Sequence, residues 1–238
     1  MIVEGGRMRT FLLASFATLM LASPTYAATR SFGITGFTKI RVEGPYKVTL
    51  ATGVAPFAKA SGSATALDRV AIEIRGDTLV VQTNPGAWGG YPGENPGPVE
   101  VMVGTHDLSS ASLTGSGSIA IDRVQGLTFA LAIQGSGAAE IGNVAADQME
   151  VSLAGTATAK LKGRARSFTA LVRGLSSLDA ANLASPEAHI TADGSSTIDA
   201  NVTDTARVDA WGPATIRLTG RPSCTLTVTG STNVSGCR

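Results

Sequence analysis

Seven glycines cut the second half of this chain into nearly equal pieces. Gly115, Gly135, Gly155, Gly174, Gly194, Gly212 and Gly230 follow one another at spacings of 20, 20, 19, 20, 18 and 18 residues. A period of that length marks a supersecondary unit that cannot bury its apolar face alone, so the copies must stack. Glycine at the repeat point suits a corner with positive φ, where any other residue would bring a Cβ into conflict with the backbone.

Counting outward from each glycine shows what the repeats are made of. Four residues before it stand Ala111, Leu131, Val151, Ala170, Ile190, Val208 and Leu226; four after it stand Ile119, Ala139, Ala159, Leu178, Ile198, Ile216 and Val234. Positions six and two before, and six after, have the same character. Of these 35 residues 33 are apolar, the exceptions being Ser109 and Gly236. The positions between them, five, three and one before and five after, hold 28 residues, of which only Ala120, Ala130, Ala132, Ala154, Leu171 and Trp211 are apolar. Alternation with a period of two on both sides of a turn means strands with one dry and one wet face, and it excludes helices here. The pattern predicts an all-β chain, a β-solenoid (β-helix-like) of about seven rungs of 18–20 residues over 104–238, with inward side chains stacking from rung to rung.

Upstream, residues 32–103 are strand-rich without the glycine period and are expected to belong to the same domain, spanning 28–238. Ile40 and Val42 alternate before Gly44-Pro45-Tyr46, and Val48 and Leu50 continue the pattern after it. Val70, Ile72 and Ile74 lead into Gly76-Asp77 and on to Leu79 and Val81, the signature of a hairpin. The stretch 85–98 is too rich in proline and glycine for regular structure. Its Trp88 and Tyr91 either pack the loop down or offer rings to a sugar or a partner.

The first 27 residues read as a secretory signal peptide. Arg7 and Arg9 open it, an apolar run from Phe11 to Ala22 follows, and Thr25-Tyr26-Ala27 gives a small-residue exit. That run is too short to cross a bilayer. Removing residues 1–27, with Glu4, Arg7 and Arg9, leaves 17 basic and 17 acidic residues, scattered and neutral overall, with no field to draw nucleic acid and no second apolar run to span a membrane. An exported protein is expected, periplasmic in location, with the cell surface or secretion as the alternatives. The only cysteines, Cys224 and Cys237, lie in the last rung, and in an oxidising compartment they are expected to pair and staple the open end. By parity Cys224 points inward and Cys237 outward, so that rung must bend.

The Val42-Glu43-Gly44-Pro45-Tyr46-Lys47-Val48 strand, the Gly76-Asp77-Thr78-Leu79-Val80-Val81 hairpin and the Gly-Ser-Gly corners with their short following strands resemble the autotransporter-adhesin head domains of the head GIN family. The resemblance covers residues 32–237. It implies an all-β, solenoid-like fold outside the cytoplasm and an adhesin-like role, and it brings no catalytic residues.

Chemistry is sparse. Five after each glycine the row reads Ala120, Glu140, Lys160, Asp179, Asp199, Arg217 and Ser235, so stacking would set Asp179 beside Asp199. Two outward carboxylates about 5 Å apart suit glycosidic cleavage, whereas the flanking Lys160 and Arg217 suit a solvated ladder of ion pairs. His106 and His189 have no companion at metal-ligand spacing, and His189 falls on an outward row between Thr169 and Arg207, as a surface residue would. No cofactor or metal is implied. The leading expectation is a non-catalytic binding or structural module that meets an envelope glycan or protein through Trp88, Tyr91 and Trp211. The alternative is a polysaccharide-cleaving enzyme built on Asp179 and Asp199.

Overall fold

The computed structural model describes residues 28–87 and 97–238. All its strands join one 16-stranded sheet, coiled upon itself. Behind the first repeat glycine the chain winds as predicted. β8 (Ser110–Gly115) leads into five long strands: β9 (Ser118–Gly135), β10 (Ala138–Gly155), β11 (Thr158–Gly174), β12 (Ser177–Asp193) and β13 (Thr197–Trp211). β14 (Thr215–Thr219), β15 (Ser223–Thr229) and β16 (Asn233–Ser235) finish the coil. Each long strand makes a whole circuit and pairs in parallel with the next, glycine over glycine: Gly115 with Gly135, Gly135 with Gly155, Gly155 with Gly174. The alternation had suggested two strands per rung. The backbone instead bends through the far corner as one continuous strand, its ladder bulging at Ile141/Val144, Lys160/Lys162 and Ala180/Ala184.

The inward rows form the core. In the first six repeats every inward position is buried except Ser109, whose hydroxyl bonds the Thr38 carbonyl. Phe129, Met149 and Phe168, register partners on successive rungs, are among the largest fully buried side chains. Core burial of this kind contributes about 1.5–3 kcal/mol per large side chain. The last repeat differs throughout. Cys224, Leu226, Val228, Val234 and Gly236 all lack full cover, with Leu226 47% and Val228 40% exposed, because among the described residues no further rung lies above them.

Two more rungs precede the glycine series. β2 (Lys39–Glu43) lies parallel to β8, and β3 (Lys47–Thr52) lies parallel to β9. Between them Gly44 takes φ +117° and stacks on Gly115, so Gly44-Pro45-Tyr46 is a corner like the others. β6 (Thr78–Thr83) pairs in parallel with β2 and β7 (Glu100–Thr105) with β3, which makes a further rung. The predicted hairpin joins β5 (Val70–Arg75) to β6 through Gly76. Antiparallel pairing closes this front end. β5 pairs with β6, β4 (Phe57–Gly62) with β7, and β1 (Ala28–Phe32) with β4. A five-residue helix, α1 (Ala64–Asp68), is capped by the Ser63 hydroxyl and buries Ala66 and Leu67 under the same end.

Corner glycines let consecutive rungs approach. At Gly155 φ is +104°, and a Cβ there would lie 2.5 Å from the Gly135 carbonyl oxygen. That oxygen accepts the Thr156 amide at 2.9 Å, a bond a side chain would push open. The cysteines are joined, their Cα atoms 5.7 Å apart. The bend that parity demands falls at Gly236, where φ is +94°, and the Arg238 amide then bonds the Pro222 carbonyl.

Two outcomes follow from this packing. Gly155→Ala is expected to lower stability by about 3 kcal/mol, read from the urea midpoint, since it combines a left-handed backbone with a backbone clash. Exposed Thr156→Ala should stay within about 0.5 kcal/mol. Replacing both cysteines by serine should cost at most about 3 kcal/mol. Its signature is faster amide exchange over 223–235 with β10 and β11 unchanged, because an end rung opens alone.

Candidate functional site

Outward side chains inherit the register of the rungs. The row five after each glycine runs Ala120, Glu140, Lys160, Asp179, Asp199, Arg217 and Ser235, each the partner of the next. Asp179 and Asp199 do stand side by side. Arg217 Nη1 donates to Asp199 Oδ1 at 3.1 Å, the Ala181 amide donates to Asp179 Oδ1 at 3.3 Å, and Lys162 meets Glu140 at 3.1 Å. Both aspartates therefore already accept from protein donors. A shallow groove of about 490 Å³ lies over the neighbouring rungs, lined by Ser118, Ala138, Thr158, Ser177 and the Glu140–Lys160–Asp179 stretch.

A second constellation occupies the other outward face, on β12, β13 and β15. Register sets His189, Arg207 and Thr225 in one row, Thr191, Asp209 and Thr227 in the next, and Asp193, Trp211 and Thr229 in a third. Asp209 is the centre of this grid, its side chain only 13% exposed. His189 Nε2 lies 3.0 Å from its Oδ2; Arg207 donates through Nε to Oδ2 at 3.0 Å and through Nη2 to Oδ1 at 3.3 Å. The His189 hydrogen bond above all, then Arg207 and, more weakly, the Thr227 hydroxyl, hold the Asp209 carboxyl down at about 2 against partial burial. An ionised carboxylate only accepts, so the proton on Nε2 is His189's, which leaves Nδ1 as the open ring nitrogen.

Trp211 stands two residues beyond Asp209 and is 44% exposed. It is an outward aromatic on a strand whose inward residues, Val208 and Ala210, are fully buried. Trp88 and Tyr91, the other aromatics expected to meet a ligand, lie outside the described residues, as do residues 1–27, expected to be a signal peptide. His189, which sequence spacing marked as a plain surface residue, has a carboxylate partner. The signal was available: Asp209 follows His189 by one rung and one outward step, a diagonal that appears only when the rows are written side by side. Among the described residues no group of three or more His, Cys, Asp or Glu side chains is placed to hold a metal ion. No helix among them is long and apolar enough to cross a membrane.

Residues 36–222 match the family described as "Putative auto-transporter adhesin, head GIN domain". No curated protein matches the chain significantly. Among solved structures it resembles a "putative adhesin" from Bacteroides fragilis NCTC 9343, with a TM-score of 0.81 and 18% identity over 88% of this chain and 96% of that one. A "putative adhesin" from Parabacteroides merdae ATCC 43184 gives 0.71 at 16% identity, covering 89% of this chain and 96% of its own. A "Putative lipid binding protein" from Parabacteroides distasonis ATCC 8503 gives 0.69 at 18% identity, with the same coverages. At these identities the likeness is one of fold.

Asp209 offers a test of the second constellation. Its carboxyl is held below its ordinary 3.8, so its stabilising contribution is complete above that pH and is lost as pH falls through about 2. Asp209→Asn should therefore lower the urea midpoint most above pH 3.8. The gap to the unaltered protein should narrow steadily toward pH 2.

Proposed function

The chain belongs to the head GIN family of auto-transporter adhesin head domains, and from that membership we propose that it is an exported, non-catalytic binding module of the cell envelope. The observation that carries the proposal is Trp211, a large ring left 44% exposed on a strand that is otherwise fixed by a buried core. Leaving such a surface in water forfeits the burial an aromatic ring favours, and a binding partner restores it. The stacked rungs hold the face flat and rigid, so little ordering is needed on contact. Trp88 and Tyr91 belong to the same proposal as further ring contacts from the 85–98 segment.

Export to the periplasm rests on the sequence of residues 1–27, with the Cys224–Cys237 disulfide in keeping with an oxidising compartment. The binding role is preferred to hydrolysis because Asp199 is spent on Arg217 and Asp179 accepts a backbone amide, so neither carboxyl of that pair is set apart as an acid.

The test is co-sedimentation of the oxidised mature protein with peptidoglycan, outer membrane and capsular polysaccharide, separately. Retention on one of them is expected, and Trp211→Ala should weaken it about tenfold or more, a loss of roughly 1.4 kcal/mol. Retention unaffected by alanine at Trp88, Tyr91 and Trp211 together would overturn the proposal. Glycan shortened in the same tubes, and spared by Asp179→Asn, would replace it with cleavage at the paired carboxylates.

A further inference from the structure

We infer that the Trp211 face is a subsite for a neutral sugar ring, with Trp211 as the platform and Asp193, Thr229 and Arg207 as its polar rim. The inference rests on the binding reading above and names its ligand class. A pyranose presents an apolar face of C–H groups and an edge of hydroxyls, each both donor and acceptor. The matching site is an aromatic ring flanked by fixed hydrogen-bonding groups of both kinds, and this face supplies them.

Asp193 and Thr229 are the register partners of Trp211 on the rungs at either side. Neighbouring strands lie about 4.8 Å apart, so both side chains border the indole within the width of one sugar ring. Asp193 is exposed, and its carboxylate accepts from hydroxyls; Thr229 donates or accepts. Arg207 adds donors. It commits Nε and Nη2 to Asp209 while its side chain remains more than half exposed, which leaves the Nη1 hydrogens for a ligand.

Asp209 does not itself reach a sugar. Its oxygens already accept from His189, Arg207 and Thr227, and it is a positioning residue that holds Arg207 in place on the strand. Charge then selects the ligand. The Arg207 cation and the Asp209 carboxylate cancel, and so do the register neighbours Arg173 and Asp193, so the face has no net charge to draw an acidic sugar; of the second pair Asp193 is the one beside Trp211, with Arg173 one rung further from the platform. At the platform itself an acidic sugar would meet Asp193 first, at short range, and a neutral one would not.

The experiment uses the oxidised mature chain carrying Trp88→Phe, so that Trp211 is the only tryptophan reporting. Its fluorescence is titrated with neutral tetrasaccharides of glucose, mannose, galactose and N-acetylglucosamine, and with tetragalacturonate as the acidic probe. At least one neutral probe should give a saturable change in the millimolar range. Asp193→Ala should weaken it about tenfold, with the thermal unfolding curve unchanged because that side chain is exposed. Tetragalacturonate should bind about tenfold more weakly than the best neutral probe and gain on Asp193→Asn.

Equal or tighter binding of tetragalacturonate would overturn the inference. So would silence from every neutral probe at tens of millimolar while the protein still sediments with an envelope fraction through Trp211; that result leaves the binding reading standing and removes only its sugar class. A Trp211 signal that changes with protein concentration alone would also overturn it, assigning the face to a second copy of the chain.

Discussion

Everything in this molecule depends on how closely one rung can lie on the next. At the corners the backbone of one coil rests on the backbone of the previous one, and the Gly115, Gly135 and Gly155 carbonyls accept the amides of Ser136, Thr156 and Leu175 at 3.0, 2.9 and 2.8 Å. Those bonds fix the register of both flanking strands. Register in turn decides which side chains point inward, since a slip of one residue would turn every apolar row to solvent. The glycine column is thus the condition for the core, and the core is the condition for two flat outer faces.

Much of this was legible in the chain because the physics is local and repeated. Alternation around each glycine marks the inward rows, and near-equal spacing sets Asp179 beside Asp199. The cysteine pair could be read from two cysteines in one rung of an exported chain, and the bend between Cys224 and Cys237 from parity. The front of the stack was harder. Gly44 has the same flanking pattern as the later corners, with Ile40, Val42, Val48 and Leu50 at the corresponding places. Its partner Gly115 lies far along the chain, however, beyond a hairpin and a helix, so no period connects them. The rung made by β6 and β7 lies outside the glycine period as well. Its place is set by the strands it pairs with, which is tertiary information.

The His189–Asp209–Arg207 cluster was missed for a related reason. Each residue alone is an ordinary polar choice for an outward position, and pairs of that kind contribute little when exposed. Only their diagonal placement, with Asp209 sunk to 13% exposure at the centre, turns three surface residues into a fixed unit. Rows in a solenoid are a second sequence, read across the rungs instead of along the chain. The Trp211 platform and its rim belong to that second sequence, and so does the row from Glu140 to Arg217 with its Asp199–Arg217 ion pair.

The two ends of the coil assemble at different cost. Behind Gly115 each rung needs a contact only about twenty residues back, whereas the β2–β8 pairing joins Lys39 to Ser110. Closing that longer loop costs about 1 kcal/mol more in chain entropy, before any of it is returned by burial. Nucleation is therefore favoured among the regular rungs, and growth by one neighbour at a time follows from there. The front strands are synthesised first, yet their docking surface exists only after β8 and β9 have been made and coiled. The start of the chain must wait for its middle.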